Sequence, residues 1–255
     1  MKVLVTGAGG FLGQGLVAAF EGRHELRLMD VRDWTTPHEK LIGSVADLET
    51  VRKAVAGCDG IVIAHMASVQ AGSYETPEAP FDANVKGTVN LFFAAAEAGI
   101  RRVVLVSSTA SIGGNLRQGS FATRDLPLRP QAFSGIYAMT KACQEVIAEY
   151  YSREQQMQVA VLRVGYILSA DDPNHVVDKY GEHIAVRHGG GTERRDIGLA
   201  ARLAMELPDL GYEVFYVISA PEGARHFDVD YTRTRLGWEA QHDFTWMPAA
   251  KAQEG

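Results

Sequence analysis

Five short stretches limit what this chain can fold into: KVLVT (2–6), ELRLMD (25–30), GIVIAH (60–65), RVVLVS (102–107) and QVAVLRV (158–164). Each is rich in apolar residues and most are apolar nearly throughout, where a strand with one wet face would alternate. Such runs read as strands covered on both sides, the mark of a parallel sheet. Between them lie segments with helical character at 11–21, 47–56, 84–98 and 135–153, the third closed by Gly99. Parallel neighbours need crossovers, and crossovers are right-handed. The pattern predicts an α/β fold with a doubly wound parallel sheet of the Rossmann kind. After residue 165 it weakens. A polar stretch with HGGGTERRD (188–196) leads to a helix at 196–206, a strand at 213–219 and a final amphipathic piece. We expect 1–165 to be a ligand-binding core with the catalytic residues. Residues 166–255 should form a small lobe, partly returned to the sheet, that covers its carboxyl edge. The whole should be effectively one compact domain.

A chain of 255 residues can bury a generous core. Its formal net charge of −6 argues against a global basic surface for nucleic acid or anionic membrane. No apolar run approaches a membrane span, and MKVLVTG enters the first strand without a leader, so the cytoplasm is the expected location. Cys58 and Cys143 are too few for a disulfide framework or thiolate cluster and should be buried small apolar residues. No His, Asp and Glu grouping has metal-ligand spacing, so no metal is expected.

TGAGGFLG (6–13) leaves the first strand and opens the first helix. Gly7, Gly10 and Gly13 are three apart, with Phe11 and Leu12 between the last two. A pyrophosphate needs a tight turn, close backbone approach and close helix–strand packing there, and the helix N-terminus offers unpaired N–H groups. The second strand ends on Asp30, seventeen residues after Gly13. An acid there accepts hydrogen bonds from an adenosine ribose and repels a 2′-phosphate, which favours NAD over NADP. Arg32, two residues on, softens that preference. Asp47 and Leu48 suit the adenine, as a carboxylate for its amino group and an apolar contact.

In GIYAMTKACQE (135–145), Tyr137 and Lys141 stand one helical turn apart and leave the same face. An ammonium beside a phenol eases its ionisation and makes an acid/base suited to neutral pH. The pattern is short, and an exposed pair on an amphipathic helix would look the same.

Further motifs, in order, decide between these readings. The chain resembles the extended short-chain dehydrogenase/reductase family, the NAD-dependent epimerases and dehydratases, from residue 2 to about 167. TGAGGFLG is similar to its TGxxGxxG loop, AHMAS (64–68) to its H-L-A-A segment, and NVKGT (84–88) to its N-V-x-G-T helix start. VVLVSSTASIGG (103–114) is similar to its S-S-x-x-x-Y-G strand end, and TRDLPLRPQAFSGIYAMTKACQE (123–145) to its lead-in to Y-x-x-x-K. The resemblance implies Tyr137 as acid/base, with Lys141 lowering its pKa and binding the nicotinamide ribose. It implies a substrate-polarising hydroxyl at Thr109 or Ser108, and cofactor contacts from Ser107 and from His65, Met66 and Ala67. Asn84 would support helix geometry and a proton-relay water, or simply cap its helix. A homodimer paired through the helices beginning near Asn84 and Tyr137 is also implied, with Leu91, Phe92 and Phe93 candidates for that face.

Three departures narrow the substrate. The chain is short for members that bind nucleotide sugars. LRVGYILSADDPN (162–174) lacks the asparagine used there on substrate phosphates, and SSTASIGG lacks the tyrosine of its motif. Length, GCDGIVIAH (57–65), LRVG (162–165) and LGW (236–238) are instead similar to the compact uronate dehydrogenases. The expected activity is hydride transfer between NAD and a sugar or sugar-acid hydroxyl. An epimerase or dehydratase with tightly held NAD, or a non-catalytic dinucleotide sensor, are the alternatives. Ser68, Thr109 and Tyr166 are the substrate candidates. Arg187, Arg194 and Arg195 are candidates for a substrate carboxylate, and His175 and His183 for the pocket wall.

Overall fold

The apolar runs pair side by side. In the computed structural model, which describes residues 1–68, 74–117, 119–172 and 174–249, seven parallel strands form one sheet. The last six residues of the expected lobe lie outside the described residues. The chain runs β1 (Lys2–Thr6), α1 (Phe11–Phe20), β2 (Glu25–Asp30), β3 (Glu39–Ile42), α2 (Leu48–Val55) and β4 (Gly60–Ile63). Then come α3 (Glu78–Pro80), a π-helical turn Phe81–Lys86, α4 (Gly87–Glu97), β5 (Arg102–Ser108), α5 (Gly135–Gln155) and β6 (Gln158–Val164). The remainder is β7 (Tyr166–Ser169), β8 (Val177–Asp178), β9 (Gly191–Glu193), α6 (Arg194–Glu206), β10 (Tyr212–Val217) and α7 (Val229–Leu236). The sheet order is β10-β6-β5-β4-β1-β2-β3. It reverses direction at β1 and β4, where doubly wound sheets open a crevice at their carboxyl ends.

The period-two alternation of strands splits the core into two layers. Val3 and Val5 face one layer with Leu16 and Phe20 of α1 and Ile197, Ala200 and Ala204 of α6. Leu4 faces the other, with Val51 of α2, Leu91 and Phe92 of α4 and Ala148 of α5. Helices α1 and α6 nearly touch backbone to backbone. A Cβ on Gly15 would lie 2.3 Å from the Arg194 carbonyl oxygen, and one on Gly198 would lie 2.2 Å from that of Gly15. Neither position has room for a larger residue.

Four strands were not visible as apolar runs. β3 is a polar edge strand, and β8-β7-β9 make a separate three-stranded sheet in the weakly patterned region. β10 returns to the main sheet beside β6, as the expected strand at 213–219. The helix expected at 84–98 starts earlier, and Asn84 sits inside its π-helical turn, so it does not cap the helix. Leu91 and Phe92 are wholly buried core residues, leaving only Phe93 of that trio exposed. Among the described residues, no helix is long and apolar enough to cross a membrane.

Candidate active site

A cavity of about 400 Å³ lies at the carboxyl ends of β1 and β4, within the range of small-molecule sites. At one end it is lined by Gly7, Gly10, Phe11, Leu12, Asp30 and Arg32. Gly7 has φ +71°, and a Cβ there would meet the His65 backbone at 2.8 Å, so the turn and the approach both demand glycine. Gly13 shapes the loop without lining the cavity: its Cβ would fall 2.2 Å from the Ala8 carbonyl oxygen. Gly10 caps α1 with no side-chain hydrogen bond, and the first turn carries no acid. That leaves an unneutralised helix N-terminus suited to phosphates. Asp30 is almost buried and accepts from the Gly9 N–H at 3.1 Å and the Arg32 N–H at 3.0 Å. The Arg32 side chain leans on the same carboxylate, Nε at 3.4 Å. These groups fit a dinucleotide.

Asp47 and Leu48 are elsewhere. Asp47 caps α2, accepting from the Glu49 N–H at 3.2 Å and the Thr50 hydroxyl at 2.6 Å, and Leu48 packs against the second core layer. Neither lines the cavity, whose wall on that side is formed by Gly43, Ser44 and Val45. An aspartate before a helix serves as a cap as readily as it serves a ligand.

His65, Met66, Ala67 and Ser68 line the cavity's middle. His65 is buried, with Nε2 3.0 Å from the Ala83 carbonyl and Nδ1 2.9 Å from the Thr6 hydroxyl. The carbonyl can only accept, so Nε2 carries the proton and Nδ1 receives the threonine hydroxyl. Burial, reinforced by the Lys141 charge, pulls this imidazole down to about 4. The unfolded chain therefore binds a proton that the fold refuses. Stability held above pH 6.5 should fall as pH drops towards 4, by up to about 1.4 kcal/mol per unit from this residue. Denaturant melts across that range should show a shallower slope in a His65→Asn variant.

Tyr137 and Lys141 enter the other end from the first two turns of α5. A proline-rich lead-in ends at Gly135, with φ +48°, and the helix starts there. Lys141 is buried and donates to the Val106 carbonyl at 2.9 Å. Burial, with repulsion from Lys179, brings its pKa to about 8, while the Glu145 charge opposes the fall. Burial pushes the Tyr137 phenol above its ordinary value, and the neighbouring Ser108 hydroxyl pulls it back. Lys141 thus stands under the site without offsetting the burial of the phenol.

Neither hydroxyl candidate lines the cavity, but Ser108 hydrogen-bonds the Tyr137 phenol, whereas Thr109 turns into a short 3₁₀ segment. Ser107 reaches the cavity wall, but its hydroxyl donates to Glu145 at 2.5 Å. Asn84 is fully buried, accepting from the Ala67 N–H at 2.8 Å and donating to Thr140 at 3.0 Å. It ties the loop after β4 to α5. Tyr166 is not at the cavity: its hydroxyl donates to Asp178, and its neighbour on the strand, Ile167, lines the wall. His175 and His183 stack on each other outside it.

Sequence reasoning missed Lys179 and Tyr180, which close the cavity at the Tyr137 end. It also missed the buried Glu145–Arg163 pair behind Ser107. The signal for Glu145 was present, since it follows Lys141 at the spacing that joins Lys141 to Tyr137. The fold also gathers Glu193, Asp196 and His242, which spacing did not foretell. These are already hydrogen-bonded: His242 Nδ1 lies 3.0 Å from Asp196, and Ser219, Gln241 and Arg195 donate to the two carboxylates. They anchor the segment after α7 to the start of α6. Cys58 is buried, Cys143 half-buried, and both are free.

A doubly wound sheet, a glycine loop at an open helix N-terminus, a buried acid at the end of β2 and a Tyr–Lys pair together define a dinucleotide-dependent oxidoreductase. The chain belongs to the NAD dependent epimerase/dehydratase family, whose model matches residues 3–220. It is an enzyme of the short-chain dehydrogenase/reductase type, with NAD as its cofactor. It is similar to the NAD-dependent glucose-6-phosphate dehydrogenase of Haloferax volcanii, 26% identical over 94% of this chain and 92% of that one. It is also 26% identical to the uronate dehydrogenase of Pseudomonas syringae pv. tomato, over 86% of this chain and 74% of that one. The crystal structure of a mutant uronate dehydrogenase from Agrobacterium tumefaciens complexed with NAD matches with a TM-score of 0.76 and 27% identity. That match covers 94% of this chain and 84% of that one.

Proposed function

We propose that the protein oxidises a sugar or sugar acid at a hydroxyl-bearing carbon, with Tyr137 as the acid/base. The observation that carries this reading is one continuous cavity running from Asp30 and the open α1 N-terminus to Tyr137 and Lys141. The sugar and sugar-acid dehydrogenases to which the chain is similar support the substrate class. Bound NAD supplies the hydride acceptor. The glycine loop and α1 hold its phosphates, and Asp30 holds the adenosine ribose. Tyr137 takes the proton of the substrate hydroxyl at its phenolic oxygen, and Ser108 holds that oxygen in place. Lys141, fixed by the Val106 carbonyl, sets the charge beneath the phenol. Residues 166–255 act as the substrate lobe.

An absorbance assay for NADH tests this, using NAD or NADP with glucuronate, galacturonate, glucose 6-phosphate, neutral aldoses and simple secondary alcohols. NADH from a sugar or sugar acid, with NAD preferred, is the expected result. Conversion without net NADH would move the reading to an epimerase or dehydratase, and NADH from simple alcohols alone would remove the sugar.

We also propose a homodimer. Val89 and Phe93 of α4 and Met139, Val146 and Tyr150 of α5 are large, exposed and at helical spacing. Sedimentation should give a dimer, and Val146→Glu should yield monomer. A monomeric wild type would overturn this. We place the protein in the cytoplasm, a reading supported by its free cysteines. Fractionation with secreted proteins would contradict it.

A further inference from the structure

At the Tyr137 end of the cavity the charges do not balance. Lys141 lies buried below, and Lys179 reaches in from just after β8. Lys179 is half-buried, and among the described residues it has neither an ion pair nor a hydrogen bond. Its neighbour Asp178 is engaged with the Tyr166 hydroxyl and the N–H groups of Tyr180 and Glu182. Two aromatic faces hold the ammonium in place, Tyr137 at 5.4 Å and Tyr180 at 5.0 Å to the ring centroids, but neither neutralises it. Burial, with repulsion from Lys179, depresses the pKa of Lys141; burial also depresses that of Lys179, and the Asp178 charge only partly opposes it.

The arginines that the sequence offers for an anion are occupied. Arg187 pairs with Glu222 at 2.5 Å, Arg194 with Asp171, and Arg195 with Glu193 at 3.0 Å. None of the three lines the cavity. Arg32 leans on Asp30 at the opposite end. In a chain of net charge −6, a cation beside the acid/base that only the engaged Asp178 partly offsets, with no ion pair among the described residues, asks for an anion from outside.

We propose that Lys179 is the anion anchor of the substrate, and that the substrate is a monosaccharide carrying a carboxylate or phosphate within one sugar ring of the reacting hydroxyl. This rests on the dehydrogenase reading above and names its substrate class. Both sources share the chemistry of an exposed oxyanion accepting from an ammonium.

Two measurements test it. The first is kcat/KM of wild type, Lys179→Met and Lys179→Arg on glucuronate, glucose 6-phosphate and glucose. The expected result is that Lys179→Met lowers the ratio of anionic to neutral kcat/KM at least about tenfold, through KM, on the scale of a hydrogen bond to a charged group. Lys179→Arg should restore part of it. Whichever anion shows the effect identifies the source as carboxylate or phosphate. An equal loss on all three sugars, with a displaced pH profile, would overturn the anchor and make Lys179 a positioning residue for Tyr137. The second is calorimetric titration of the NAD complex with glucuronate and with glucose 6-phosphate, which needs no turnover. Anion binding that Lys179→Met abolishes supports the anchor even if no NADH forms, a result that would count against the dehydrogenase reading alone. Unchanged binding in the variant, or no anion binding by wild type, overturns the anchor whatever the activity.

Discussion

Tyr137→Phe is expected to lower kcat by about a hundred- to ten-thousandfold, the usual weight of a positioned general acid/base. The substitution removes one oxygen and keeps the ring against which Lys179 rests. Melting behaviour and NAD binding, measured by denaturant titration and calorimetry, should stay close to wild type. The pH profile makes the test sharper. Burial holds the phenol above its ordinary range, so the ionised form that accepts a proton is scarce at neutral pH. Oxidation by wild type should therefore climb as pH rises into the alkaline range, and the residual rate of the variant should lose that climb. Near-normal turnover in the variant would move the acid/base role to another group.

Glu145→Ala is expected to destabilise the fold by about 3–5 kcal/mol, the cost of leaving one member of a buried ion pair alone. Glu145 and Arg163 are both almost fully buried, with Arg163 Nη2 2.9 Å from Oε2 and Nε 3.1 Å from the same oxygen. Ser107 and Ser111 donate to Oε1 at 2.5 and 2.7 Å, and Arg163 donates onward to Tyr216 at 3.0 Å. Without the carboxylate, a guanidinium and two hydroxyls lose their partner in a dry layer. A double variant, Glu145→Met with Arg163→Met, should recover much of the loss, because apolar pairs often replace buried ion pairs at little cost. If the single variant unfolds at the same denaturant concentration as wild type, the network contributes little to stability. Because Ser107 precedes Ser108 on β5, the single variant should also lose activity beyond its loss of stability.

How much of this was readable beforehand depended on whether a feature was local. The strands of the sheet's interior were legible because burial on both faces leaves an apolar run, as in QVAVLRV. β3 was not, since an edge strand such as EKLI keeps polar residues towards water. The glycine loop and the Tyr137–Lys141 spacing were legible because their chemistry is carried by adjacent positions. Asp47 and Tyr166 were misplaced for a related reason: each lies in a plausible segment, but a cap and a strand's alternation decided where the side chain went. Lys179 left no trace. Its meaning comes from which acids its neighbours engage, and Asp178 beside it looks like its natural partner until the tertiary fold assigns it to Tyr166. The π-helical turn at Asn84 was equally hidden, because a one-residue change in helical phase has no compositional signature.

The contact at Gly15 and Gly198 constrains motion as well as packing. α1 carries the open N-terminus proposed for the phosphates, and α6 grows from β9 of the small sheet in the proposed substrate lobe. Arg194, at the head of α6, reinforces the seam with a bond to Gln14 at 2.8 Å and a guanidinium 5.1 Å from the centre of the Phe11 ring. Two helices packed backbone to backbone resist sliding or parting at this seam. Bulky residues at either glycine should therefore loosen nucleotide and sugar recognition together, even though neither position lies in the cavity wall.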